Sequence, residues 1–213
     1  MPSRRARHEA CHVVVALRLG FPVMATAVGR ELTPEDLPKM NLSGTLTPED
    51  LSGTIGGAVH RFRKKDGSMP TKEEDITVKV APMAYRHISG DAYNGNEDEI
   101  LESGLDLLAI KEIQQKYKPK VRDRIYTTCA RDAYRILSEE STLIEHITEV
   151  LMTGKAMMFV PIELDGKFKV LEQEWDTYLH EQAAGDQQWW SRVQAGIGTT
   201  TTKKSGERHD QRT

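Results

Sequence analysis

Cysteine is scarce in this 213-residue chain: Cys11 and Cys129 are the only two. Two such distant thiols do not make a disulfide framework, so a reducing, intracellular setting is the expectation. No stretch approaches the roughly 18 unbroken apolar residues of a membrane-spanning helix. The first residues carry arginines at 4, 5 and 7 and no apolar signal-peptide segment, which points to the cytoplasm. An excess of one charge is also missing. Lys and Arg number 29 against 32 Asp and Glu, a net charge of -3, so no global attraction to nucleic acid or a membrane surface is expected. There is no GxxxxGK[ST] phosphate loop, and "TTTTKKSG" near the end does not qualify, so a P-loop ATPase is excluded from these residues. What is present is 38% apolar and 29% charged residues, a balance suited to a soluble, mainly helical protein with a modest core.

The apolar pattern predicts a helix over residues 4–19. Ala6, Ala10, Val13, Val14 and Leu17 fall at helical spacing, and Gly20 and Pro22 end it. "MATAVG" (24–29) reads as a short strand. "LTPEDL" then occurs twice, at 32–37 and 46–51, each copy with a Thr cap, Pro in the first turn and acids behind it, as in two short helical turns of a surface insertion. A helix is expected over 72–87 despite Pro82, followed by a Gly/Asn/Asp-rich loop at 89–97. Three helices follow: 98–117, with Ile100, Leu101, Leu105, Leu108 and Ile113 as its apolar stripe; a second from Pro119 to Leu137; and a third capped by Ser141 and ending at Gly154. "MMFVPIELDGKFKVLE" (157–172) predicts a hairpin turning at Asp165-Gly166. Trp175, Tyr178, Trp189 and Trp190 suit a final helix, and the tail 196–213 has nothing to bury and reads as disordered.

The chemistry lies in "RHEACH". His8 and His12 are four apart, so a helix places them on one face, where neutral imidazoles can both reach one Zn²⁺. Glu9 is offset from His8 by about 100° of helix rotation and suits a general base acting on water rather than a ligand. His60, His87 and His146 are isolated, Met157 and Met158 read as core, and Arg61 to Lys65 as a solvated basic face. Two surface histidines on an amphipathic helix would be the bland account of the motif.

"RHEACHVVVALRLG" resembles the "HEAGHALVA" helix of the FtsH-type ATP-dependent zinc peptidases and their stand-alone relatives. "VAPMAYRHISGDAYNGNEDEI" and "IYTTCARDAYRILSEESTLIEHITEVLMT" are similar to later segments of that family in the same order, so the resemblance covers roughly residues 6–155. It implies a mainly α (α+β) fold, with a zincin-like HExxH helix packed on a helical bundle, a small strand element over the cleft and the C-terminal hairpin beyond. The corresponding division is a peptidase domain at 1–155, a hairpin and aromatic-rich extension at 156–195, and the tail at 196–213. It also implies a third ligand from the acidic run that opens a downstream helix. Asp98 is the choice, with Glu97 and Glu99 as alternatives and Asp91 less favoured. Cys11 stands where the family usually has Gly, and Tyr85 where it usually has an acid.

The expected function is a zinc-dependent endopeptidase acting on unfolded or flexible polypeptide. His8, His12 and Asp98 would hold Zn²⁺, and Glu9 would activate water. Without an ATPase module in this sequence, a separate ATPase or a homo-oligomer are the partners the resemblance implies, with no nucleic acid and no membrane span. The alternative from another class is a non-catalytic, zinc-retaining regulatory or interaction protein derived from the same fold.

Overall fold

The structure, a computed structural model, describes residues 2–28, 64, 68–90 and 97–183. The "LTPEDL" copies, His60, Asp91, Trp189, Trp190 and the tail lie outside them. Among the described residues the order is α1 (Pro2–Arg18), β1 (Val23–Thr26), α2 (Lys72–Ser89), α3 (Glu97–Gln115), α4 (Pro119–Glu139), α5 (Ser141–Leu151), β2 (Met157–Leu164), β3 (Lys167–Glu174) and α6 (Trp175–Ala183). The chain is mainly helical with a small antiparallel sheet, as the sequence pattern predicts.

α1 is the central element. Pro2 opens it, at the first helical position where its missing N–H costs nothing. From Val13 to Leu17 every residue is buried, because α2, α4, α5 and the sheet surround that half of the helix. A helix that is apolar all round is stable only when enclosed in this way. Arg18 closes α1 with an ion pair to Glu140 and lies over the Phe168 ring, 4.2 Å from its centroid.

α2 carries its own start and stop signals. The Thr71 side chain accepts from the Glu74 backbone N–H at 3.2 Å, and Glu74 Oε2 accepts from the Thr71 backbone N–H at 2.9 Å, a reciprocal capping box. Gly90 ends the helix at φ 69°, a left-handed conformation that glycine takes without a Cβ clash. Pro82 sits inside the helix.

The sheet order is β1-β2-β3, antiparallel throughout. Asp165 and Gly166 both have positive φ (54° and 69°), so the β2–β3 turn is of the primed type expected from Asp-Gly. β2 also pairs with β1, with Val23 opposite Phe159, and Met157 and Phe159 belong to the same buried cluster as α1. The hairpin beyond residue 155 therefore shares its core with the helices before it. Trp175 and Tyr178 are buried and stacked at 5.2 Å, and the Trp175 backbone N–H donates to Ala156 O at 2.8 Å, which ties α6 to the base of the hairpin.

Two sequence expectations shift. Ser141 is the first helical residue of α5 rather than its cap, which is Glu140. On α3 the inward face is not the one through Leu108, which is 59% exposed. It runs through Asp106, Ile110 and Ile113, of which Ile113 belongs to the expected stripe, with both isoleucines buried. The apolar residues of this helix occupy more than one face, so spacing alone did not decide which face meets the core.

Candidate metal centre

His8 and His12 lie in the second and third turns of α1, well clear of the helix end. Ala6 and Ala10 anchor that part of the helix in the core. The two rings meet edge to face, 4.9 Å between centroids. Their Nε2 atoms are 3.2 Å apart, and Asp106 Oδ2, from α3, lies 3.3 Å from each. The three atoms form a nearly equilateral triangle, and they are the only such His/Cys/Asp/Glu group found among the described residues.

The proton positions follow from the surroundings. His12 Nδ1 is 2.8 Å from the carbonyl oxygen of Val78 on α2, and a carbonyl only accepts. The Nδ1 atom therefore carries the proton, and in the neutral ring Nε2 presents a bare lone pair to the triangle. Asp106 Oδ2 is buried beside the two Nε2 atoms and has a hydrogen-bond donor there only where one of them carries a proton. Electron-rich atoms held this close require a cation between them, either a proton or a metal.

The spacing fits a metal bound through nitrogen and oxygen. Donors about 2.0–2.1 Å from a tetrahedral zinc lie about 3.3–3.4 Å from one another, and the observed edges are 3.2 to 3.3 Å. Magnesium and calcium prefer all-oxygen shells. The residues present thus fit zinc, with three protein donors and one coordination position left over.

Glu9 is buried, next to His8 in sequence, and is not one of the converging donors. Its charge contributes to raising His12. Cys11 is also outside the triangle. It is buried in the core, and burial pushes its thiol far up, so it is inert packing rather than a ligand. Tyr85 packs against the core, and the His12 ring is held by Val78 O.

The carboxylate that the structure places beside the histidines is Asp106, a residue the sequence reading did not single out. Asp98, like Glu97 and Glu99, is in the first turn of α3, and its side chain lies outside the described residues. Asp98 precedes Asp106 by eight residues, about 12 Å along the helix axis. Among the described residues, Asp106 is the carboxylate that meets both histidines. The signal was present in the sequence: Asp106 is the only charged residue in "GLDLLAI", residues 104–110.

No family model matches the chain, and no match to it was found among curated proteins or solved structures. The chemistry must therefore be argued from the site itself.

A metal at this site would compete with protons for the same three atoms. Burial pushes His12 down, but the charge of Asp106 and a hydrogen bond to it outweigh that and raise His12 above its usual value. Burial likewise pushes Asp106 up, but protonated His12, and then His8, hold it well below the usual carboxylate range. These are two views of one pairing. In the metal-free protein its contribution to stability is present below the ordinary histidine value of about 6.5 and is lost as pH rises through the raised value of His12. It is lost at the acid end as pH falls through the depressed value of Asp106. Zinc uptake needs His12 deprotonated. The increase in melting temperature on adding zinc is therefore expected to grow as pH rises across the histidine range. Thermal melts with and without zinc above and below that range measure it, and a larger zinc effect on the acid side would contradict the assignment.

Proposed function

We propose that this protein is a zinc-dependent endopeptidase that cleaves unfolded or flexible polypeptide, with His8, His12 and Asp106 holding the metal and Glu9 as the general base. The observation that carries this reading is the Nε2–Nε2–Oδ2 triangle, set on a helix with a buried glutamate beside the first ligand. A bound zinc acidifies water and polarises a carbonyl. Glu9 takes a proton from the attacking water and returns it to the leaving nitrogen. Val78 O holds the His12 ring in the tautomer that presents Nε2. Among the described residues β1 is an edge strand of the sheet, a position that suits an extended peptide adding as a further strand through backbone hydrogen bonds.

The test is metal analysis of the purified protein together with digestion of an unfolded substrate such as casein. Stoichiometric zinc is expected, with cleavage that is lost on chelation and restored by zinc. Zinc bound without any cleavage would replace this reading with that of a zinc-retaining binding protein. Iron in place of zinc, or no metal at all, would overturn it.

A further inference from the structure

The carbonyl that holds His12 belongs to a helix interior, where carbonyls are normally occupied. In an α-helix the carbonyl of residue i accepts from the N–H of residue i+4. For Val78 that residue is Pro82, which has no N–H. A proline ring also presses on the carbonyl four residues before it and tilts it off the helix axis. The carbonyl that Pro82 leaves without its helical donor is the one that His12 Nδ1 reaches, at 2.8 Å and in a buried setting. An interior proline usually weakens a helix. Here α2 is well capped at both ends, and the lost helical bond is replaced by one to α1.

From this juxtaposition we infer that Pro82 is a positioning residue for the metal centre. By withholding an N–H from Val78 O it reserves that oxygen for His12 Nδ1 and fixes the tautomer that bares Nε2 toward His8 and Asp106. The inference deepens the zinc reading and rests on it for its purpose, but the hydrogen bond and the tautomer belong to the metal-free protein and can be measured there.

Substituting Pro82→Ala supplies the missing N–H. The Val78 carbonyl can then realign along the helix axis, away from α1, and His12 Nδ1 must share its acceptor or lose it. Pro82→Gly supplies the same N–H in a residue that is a much poorer helix former than alanine. The experiment is ¹⁵N NMR of ring-labelled histidine in the metal-free protein, at a pH where the imidazoles are neutral, together with zinc affinity by chelator competition and thermal melting to verify folding. In the wild type, His12 should show a protonated Nδ1 and an unprotonated Nε2. Both variants should show a mixed or reversed tautomer and bind zinc about 10- to 100-fold more weakly, the usual cost of losing a group that orients a metal ligand. Wild-type tautomer and affinity in Pro82→Ala would overturn the inference. So would an affinity loss confined to Pro82→Gly and matching its lower melting temperature, since Pro82 would then act only through helix stability. Absence of zinc from the wild type would remove the metal reading, while the tautomer measurement would still decide whether Pro82 directs His12.

Discussion

Replacing Glu9 by glutamine is expected to reduce peptide cleavage by roughly 10²- to 10⁴-fold, the range spanned by general-base catalysis, while zinc stays bound. The two side chains are nearly the same size, so the buried site at position 9 keeps its packing. The atoms proposed to hold the metal come from His8, His12 and Asp106 and are untouched. What disappears is the carboxylate proposed to accept a proton from water and carry it to the leaving nitrogen. Parallel zinc titration and casein digestion of wild type and variant check this. Loss of zinc together with activity would mean that Glu9 supports the site rather than performing chemistry. Retained cleavage would mean that the base is another group.

The second large effect separates two aspartates on one helix. Asp106→Ala removes the only carboxylate found at the histidine pair among the described residues and leaves two imidazoles to hold the metal. Groups that merely orient ligands are worth about 10- to 100-fold in affinity, so loss of a direct ligand should cost more than about 100-fold. Asp98→Asn, two turns earlier, should leave zinc affinity unchanged. Chelator competition on both variants reads this out. The reverse pattern would restore Asp98 as the third ligand. Asp106→Ala should also lower the pH at which His12 titrates in the metal-free protein, because the charge that raises it is gone. Histidine NMR titration measures that change directly.

The choice of Asp98 over Asp106 in the sequence has a specific physical origin. An acidic residue at the start of a helix is favoured by the helix dipole whether or not it binds anything, so the run 97–99 stood out for a reason unrelated to metal. Asp106 was hidden because it interrupts an apolar stretch, where a charge looks like an irregularity in the stripe. Its inward position depends on the rotation of α3 against α1 and α2, and that rotation is set by Ile110 and Ile113 entering the core while Leu107 and Leu108 remain outside. A local pattern could not choose between those faces.

The sequence by itself determined the elements whose causes are local: α1 with its HExxH spacing, the capping box and glycine stop of α2, the Asp-Gly hairpin, and proline at the start of α4. Caps, turns and side-chain periodicity act over a few residues, so they can be read in order along the chain. Only the tertiary structure decided which carboxylate meets the histidines, that the hairpin joins β1 in one sheet, and that the carbonyl orphaned by Pro82 lies within reach of His12. Those relations span 94, 136 and 66 positions of the chain. They are set by how helices rotate and sheets pair around a shared core, which sequence spacing does not encode.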